Sequence, residues 1–423
     1  MMRAAILLPI LSSLILSAPL SAKKIAQQSA PTTTTTTIPA PATAESIEIT
    51  IEVKPTPPSI DNPNLQIAIL LDTSSSMSGL INQAKAQLWT IVNQCGKATY
   101  NGLAPNLTIA IFEYGNSGLP ASEGYIRQVL PFTNDLDAVS QALFSLTTNG
   151  GDEYCGLVIN EAIKRLDWST NPDDYRAIYI AGNEPFTQGQ FPFSQACSTA
   201  KSKDIIVNTI HCGDANEGIN GSWQAGAILA AGKYLNINHD RQVANIKTPY
   251  DDKFLELNSQ INGTYLYFGV TEVRRSRAQN QLKQDKNMMN MGGMAIAERV
   301  ASKSKKQVYN NSGRDLVDTF GDKDKLEELA TVATEELPKA MQAMTPEQRI
   351  EHVKITKEER EKIQKQIAEL EMKRQAFIAE KRKELAKDTL GDVITQTITT
   401  QLTNNGFAIE TTTIEPELQI ENN

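Results

Sequence analysis

The residues best suited to chemistry lie in the loop 72–76, Asp-Thr-Ser-Ser-Ser, directly after the apolar stretch 67–71. The carboxylate of Asp72 and the hydroxyls of Ser74 and Ser76 alternate along this loop. Oxygen ligands of this kind suit Mg²⁺, a hard cation that keeps its remaining positions filled by water or by a ligand. The loop therefore predicts a divalent-cation site with a position open to a carboxylate from a partner.

Such a site needs a rigid sheet beneath it, and residues 65–269 have the pattern of one. Nearly continuous apolar runs alternate with stretches of helical spacing, at 65–72, 107–114, 177–181 and 205–211. Runs of this type are typical of strands buried on both faces. Their alternation with helices predicts a mostly parallel sheet covered on both faces. Ligands bind such sheets beyond the carboxyl ends of the strands, where the loop 72–76 lies.

The strand, the Asp-x-Ser-x-Ser loop and the helix after it resemble the metal-ion-dependent adhesion site of von Willebrand factor type A (VWA) domains. The resemblance covers roughly residues 64–269, about half of the chain. It implies a Rossmann-like, doubly wound α/β fold and a Mg²⁺ ion, or Mn²⁺ or Ca²⁺, held by Asp72, Ser74 and Ser76. It also implies a protein partner that reaches the ion through an acidic residue.

The second metal loop of the family departs from the usual pattern here. The family supplies a Thr just before a helix, whereas this sequence offers Asp152 or Glu153 by position, with Thr148 as a weaker alternative. A carboxylate can ligate a cation directly or through water. The alternative interpretation is an acidic pair that caps the positive end of the next helix.

The third metal loop departs further. The fourth strand of the family usually ends in Thr-Asp-Gly, and here Gly182 stands at the position of the Asp. Asn183 or Glu184 could take over as a ligand, although neither occupies the same position. Because hard cations depend on the charge of their site, we expect weaker binding than in domains with the full motif.

An enzyme is not expected from these residues. No Gly-x-Ser-x-Gly elbow and no phosphate loop occurs in the sequence. A pair between His211 and Ser74 or Ser76 is geometrically conceivable, but a His at a strand end more often hydrogen-bonds a loop. The net charge of −8 and the pI of about 5.2 argue against nucleic acid as a partner.

The beginning of the chain predicts export. Arg3, an apolar run at 4–16 and small residues before Ala22 are typical of a signal peptide over 1–22. Residues 23–64 are rich in Thr, Pro and Ala and predict a linker, with a possible edge strand where apolar residues alternate at 47–53. We expect a secreted, periplasmic or cell-surface protein without a transmembrane span in the mature chain.

The composition changes after residue 269. Residues 270–404 predict a long α-helical, coiled-coil-like region, with helices at 274–306, 324–344 and 346–387, followed by a flexible acidic tail at 405–423. The apolar heptad stripe in the last of these helices is interrupted by Arg374, so a dimeric zipper is not expected. We predict an antiparallel helical arm that projects from the domain of a monomeric protein. The basic stretch 303–306 predicts a solvated helix face.

The four cysteines are Cys95, Cys155, Cys197 and Cys212. Export permits disulfides, and one bridge among the last three, with Cys95 free, is one interpretation. Buried free thiols are the other, and the sequence does not choose between them.

Together these features predict an exported, adhesion-type module that engages a protein partner through a divalent cation. The alternative is a metal-free scaffold protein with a degenerate VWA domain and a helical arm.

Overall fold

The computed structural model describes residues 62–77, 81–237, 246–385 and 390–410. The predicted signal peptide 1–22, most of the linker 23–64, with its alternating segment, and the tail beyond residue 410 lie outside the described residues.

The described strands are β1 Asn64–Asp72, β2 Ala98–Thr99, β3 Asn106–Tyr114, β4 Ile126–Thr133, β5 Tyr175–Gly182, β6 Ile206–Cys212, β7 Tyr234–Ile237 and β8 Ala408–Ile409. The described helices are α1 Ile81–Cys95, α2 Leu136–Ser145, α3 Cys155–Arg165, α4 Phe193–Ser202, α5 Ala215–Asn220, α6 Trp223–Leu229, α7 Asp251–Gly263, α8 Thr271–Met291, α9 Gly293–Lys303, α10 Leu316–Phe320, α11 Pro346–Leu385 and α12 Leu390–Asn404.

Six of the strands form one sheet in the order β4-β3-β1-β5-β6-β7. The central strand β1 pairs in parallel with β3 and β5, and β6 and β7 continue in parallel. The edge strand β4 runs antiparallel to β3. The predicted mostly parallel, doubly wound α/β sheet is confirmed, and its parallel strands all end at the edge where Asp72 lies.

Alternate side chains of β1 fill two separate cores, which explains why its sequence is apolar throughout. Leu65, Ile67 and Ile69 face the core that includes α1, α2 and α7, whereas Ala68 and Leu70 face the core of α3 and α4. Burial on both faces fixes the register of the strand. The position of the loop after Asp72 is fixed with it.

The helical region does not project as an arm, which corrects our expectation. Helix α12 packs on α1 and β7, while α9 and α11 both pack on α7. Ile363, Ile367 and Ile398 belong to the same core as the first face of the sheet. The apolar stripe of α11 therefore packs against the sheet domain. The described residues lie in one compact unit.

Three local features of the helical region also differ from expectation. The helix predicted at 274–306 is broken at Gly292, whose φ of 115° is outside the helical range. Residues 324–344 form short 3-10 turns rather than one helix, with Pro338 between the last two. Instead of a solvated face, the basic stretch begins with Lys303, which is fully buried.

The end of the described chain is packed rather than loose. Phe407 is buried against Tyr100, and β8 pairs antiparallel with β2. The tail that we predicted from residue 405 is therefore ordered through Ile409, because Phe407 belongs to the main core.

All four cysteines are buried and free. The structure thus matches the interpretation of buried thiols and contains no bridge among Cys155, Cys197 and Cys212. Among the described residues, no helix combines the length and the apolar character that crossing a bilayer requires.

Candidate cation site

The first loop presents a buried carboxylate with a free oxygen. Asp72 ends β1 and is only 1% exposed. Its Oδ1 accepts a hydrogen bond of 2.7 Å from the backbone N–H of Ser74, whereas its Oδ2 is buried without a hydrogen-bond partner. Buried polar atoms are rarely left unpaired, so this oxygen marks a place where a ligand could bind.

The second loop contributes Glu153 and not Asp152. The side chain of Glu153 is buried, whereas Asp152 is exposed and accepts a hydrogen bond of 3.1 Å from the Tyr154 hydroxyl. Helix α3 begins at Cys155 without an acidic residue in its first turn, so the acidic pair does not form the helix cap that we considered. Thr148 is partly buried in the same loop.

A glycine allows the first two loops to approach. Gly115 has a φ of +78°, and a Cβ on it would lie 2.8 Å from both Asp72 Oδ1 and Glu153 Cγ. Any larger residue would collide with both carboxylate side chains. Gly115 therefore permits Asp72 and Glu153 to face each other.

The surroundings of Gly182 in the third loop explain why no aspartate occupies this position. A Cβ on Gly182 would lie 2.5 Å from the Tyr114 hydroxyl, 3.0 Å from Trp223 Cη2 and 3.3 Å from Asp72 Cβ. No side chain fits there, so the polar groups come from the following residues. Asn183 Oδ1 accepts a hydrogen bond of 2.8 Å from Ser76 Oγ.

A chain of hydrogen bonds joins the first and third loops, and the second loop lies beside them. Ser74 Oγ and Ser76 Oγ lie 2.8 Å apart, and Ser76 continues to Asn183. Glu153 reaches the same place across Gly115, where a Cβ would lie 2.8 Å from both Asp72 Oδ1 and Glu153 Cγ. The predicted residues Asp72, Ser74, Ser76, Glu153 and Asn183 are thus brought together, and Asp152 is not.

The carboxylates of the site raise one another's pKa, because each negative charge disfavours ionisation of its neighbours. Burial raises the pKa of Asp72 to about 6, and the charge of Glu184 adds to this effect. Burial also raises the pKa of Glu153 to about 7, with further contributions from the charges of Asp72 and Glu184. Hydrogen bonds involving Ser74 oppose both shifts, and among the described groups that set these two values none is a cation.

The donor set fits a hard divalent cation. Such ions bind carboxylate, hydroxyl and amide oxygens together with water, and the free Oδ2 of Asp72 lies among groups of these kinds. Among the described residues, no group of three or more His, Cys, Asp or Glu side chains is placed to hold a metal. A cation here would therefore need Ser74, Ser76, Asn183 or water oxygens besides Asp72 and Glu153.

The Ser–His pair that we considered is not formed. His211 Nε2 lies 3.2 Å from the carbonyl oxygen of Asn183, and its Nδ1 lies 3.3 Å from Asn236 Nδ2. Burial lowers the pKa of His211, so the ring is neutral near pH 7. Both ring nitrogens are engaged away from the serine hydroxyls.

The sequence analysis missed the residues that support the site. Gln188 Oε1 accepts a hydrogen bond of 2.5 Å from the backbone N–H of Glu153, and Tyr114 lies beneath Gly182. Trp223, interpreted as a packing residue, donates to the Glu184 carbonyl. Of these three residues, only Tyr114 could have been placed near the site from the sequence, because it is the last residue of the predicted strand β3.

No family model matches the chain, and no curated protein matches it. Solved structures similar to it include the conserved hypothetical protein BatB from Bacteroides thetaiotaomicron, at 17% identity and a TM-score of 0.32 over 41% of this chain and 91% of that one. A von Willebrand factor type A structure from Catenulispora acidiphila has 17% identity and a TM-score of 0.31, covering 42% and 39%. The pilus adhesin SpaC from Lactobacillus rhamnosus GG has 12% identity and a TM-score of 0.33, covering 43% and 28%.

The class of domain follows from the chain's own architecture. The strand order, the antiparallel edge strand β4 and the Asp-x-Ser-x-Ser loop after β1 give the chain a VWA-like α/β fold. In this protein the domain carries a long helical region packed on one of its faces.

Proposed function

We propose that the chain is an exported, adhesion-type module that binds a protein partner through a divalent cation held by Asp72, Ser74 and Ser76. The observation that carries the proposal is the buried Oδ2 of Asp72, which has no hydrogen-bond partner. A cation at this oxygen would satisfy it and would offset the repulsion among the neighbouring carboxylates.

Access to the site supports partner binding. Ser75 and Ser76 are exposed, whereas Asp72 and Ser74 are buried beneath them. A cation bound between these two levels would have protein oxygens below and solvent above. An acidic side chain of the partner could then replace a water molecule on the ion and complete its coordination.

Export is part of the proposal and is supported by the start of the sequence. The apolar run 4–16 after Arg3 and the Thr-rich linker that follows are typical of a secreted or surface-tethered protein. The binding edge of the sheet would then face the extracellular or periplasmic space.

A metal-free scaffold remains the second candidate, and one observation favours it. The hydroxyls of Ser74 and Ser76 are already hydrogen-bonded in a chain that ends on Asn183. If this chain persists in solution without a cation, the first and third loops hold themselves together and the domain serves as a packing platform for its helices.

Partner capture with and without a chelator separates the two candidates. The full mature chain is immobilised, exposed to native extracellular or periplasmic extract in millimolar Mg²⁺, and washed with or without EDTA. The adhesion proposal expects a partner that EDTA releases and that Asp72→Asn fails to retain. Asp152→Asn is the matched control, because it removes an exposed carboxylate from the same face and should retain the partner.

Retention that is insensitive both to EDTA and to Asp72→Asn would favour the scaffold. A partner lost equally from Asp72→Asn and Asp152→Asn would indicate general charge attraction rather than a cation site.

A further inference from the structure

We propose that His211 and Trp223 are positioning residues that set the third loop of the cation site. This inference rests on the function proposed above. Trp223 Nε1–H donates a hydrogen bond of 2.8 Å to the carbonyl oxygen of Glu184. His211 Nε2 lies 3.2 Å from the carbonyl oxygen of Asn183. Two ring nitrogens, from β6 and α6, thus hold consecutive peptide groups of the loop.

The proton of His211 can be placed from its surroundings. Asn236 Nδ2 lies 3.1 Å from the carbonyl oxygens of both His211 and Gly213, so this atom must be the donating amide nitrogen. Its two hydrogens serve these carbonyls, so the tautomer follows instead from Nε2, which lies 3.2 Å from the Asn183 carbonyl oxygen, a group that can only accept. The proton of the neutral ring is on Nε2, from which it donates to Asn183.

The loop needs this support because the strand end supplies no ligand. Gly182 has no room for a side chain, so the polar groups move to Asn183 and Glu184, beyond the last residue of β5. The backbone N–H of Phe186 donates to the Gly221 carbonyl at 2.8 Å, and its ring packs on Trp223 at a centroid distance of 4.7 Å. The loop is thus held at several consecutive residues.

The effect of the two rings reaches the site through Asn183. The peptide held by His211 carries the side chain whose Oδ1 accepts from Ser76 Oγ at 2.8 Å. His211 and Trp223 are themselves only 2% and 1% exposed, so neither can contact a partner directly. Groups that orient metal ligands in this way typically change metal affinity by about 10- to 100-fold when they are removed.

The test is the Mg²⁺ affinity of the full chain, measured by titration calorimetry. His211→Leu removes one donor, and Trp223→Phe removes the other while keeping an aromatic ring. We expect each to weaken Mg²⁺ binding by about tenfold or more. His211→Gln keeps an amide donor at a similar reach and should stay within about threefold of the wild type.

Trp168→Phe is the matched control. Trp168 also donates its indole N–H to a backbone carbonyl, that of Ala162, but away from the three loops. Its Mg²⁺ affinity should stay within about threefold of the wild type. Thermal unfolding of every variant reports whether it is folded.

Hydrogen exchange of the backbone amides of residues 183, 184 and 186–189, measured without cation, gives a second readout. We expect exchange to be faster in His211→Leu and Trp223→Phe than in the wild type, His211→Gln and Trp168→Phe. If the wild type binds no Mg²⁺, the proposed function fails, and this exchange pattern alone decides whether the two rings set the loop.

The inference is overturned if His211→Leu and Trp223→Phe bind Mg²⁺ like the wild type, or if their loop amides exchange no faster than those of Trp168→Phe. Equal losses of affinity in His211→Gln and His211→Leu would assign the effect of His211 to packing rather than to the donated hydrogen bond.

Discussion

Two aspartates in this molecule are almost equally buried and have opposite electrostatics. Asp72 at the sheet edge is 1% exposed and Asp285 in α8 is 4% exposed. Burial raises the pKa of Asp72 to about 6. Burial would also raise the pKa of Asp285, but the charges of Lys303 and Arg299 overcome it and hold this pKa well below its usual range.

The difference lies in what the chain itself provides. Asp285 accepts hydrogen bonds of 2.5 Å from Arg299 Nε and 2.9 Å from Lys303 Nζ, and Arg299 also bonds Asp137 at 2.7 Å. Asp72 accepts from the backbone N–H of Ser74 and, among the described residues, from no charged group. The carboxylate in the helical region is therefore a structural group, whereas we propose that the one at the sheet edge is completed by a cation from outside.

The largest expected effect comes from removing Arg299, one of the two cations that contact Asp285. Arg299→Met leaves Asp137 without its buried cation and Asp285 with one cation, Lys303, instead of two, and should lower the free energy of unfolding by about 3–5 kcal/mol. Urea denaturation of the full chain measures this loss. Arg165→Ala, which removes a more exposed pair with Glu161, should cost no more than about 1 kcal/mol. Similar losses in the two variants would contradict the structural role that we assign to the buried ion pairs of Arg299.

The pH dependence of stability gives a smaller effect with a definite sign. Because the folded pKa of Asp72 is raised above its ordinary value near 3.8, the native state binds more protons than the unfolded state between these values. The contribution of this group to stability therefore falls as pH rises from about 3.8 to about 6, by about 3 kcal/mol in total. Asp285 acts in the opposite sense, and its contribution is lost only when pH falls below about 4.

Denaturation of the cation-free protein at pH 5 and pH 7.5 checks this sign. Asp72→Asn should gain stability relative to the wild type as the pH is raised across this range. Asp285→Asn is the counterpart, and its difference from the wild type should stay nearly constant there. A stability difference between Asp72→Asn and the wild type that does not change with pH would contradict the account.

The smallest expected effect concerns the cysteines. Burial raises the pKa of all four thiols, which are free in the structure. A thiol reagent should therefore find no reactive group in the native protein and four in denaturant. A reducing agent should leave the thermal midpoint of unfolding unchanged, because the four cysteines form no disulfide that it could break. A lower midpoint under reduction would reveal a bridge.

The sheet could be predicted from the sequence because its strands are buried on both faces. The runs around Ile67, Ile109 and Ile178 carry that signal directly, and the polar loop after Asp72 marks the binding edge. The choice of Glu153 over Asp152 could not be predicted, since it depends on the close approach that Gly115 permits. The support from His211 and Trp223 comes from distant parts of the chain and leaves no local pattern.

The placement of the helical region escaped prediction for a related reason. Arg374 interrupts the apolar stripe of α11, and from the sequence alone this charge predicts a break in its packing. In the structure its side chain is fully buried, bonded to Glu298 at 3.0 Å and placed near Asp251. Charged residues of this kind can be recognised as interior only when their partners, which lie far away in sequence, are known.

The most direct test of the account is titration calorimetry of the full chain with Mg²⁺ at pH 7.5, for the wild type, Asp72→Asn and Asp285→Asn. We expect one site in the wild type, a loss of at least about tenfold in affinity for Asp72→Asn, and an unchanged affinity in folded Asp285→Asn. Equal Mg²⁺ binding by the wild type and Asp72→Asn, or none by the wild type, would contradict the claim that the sheet-edge cluster is completed by an external cation.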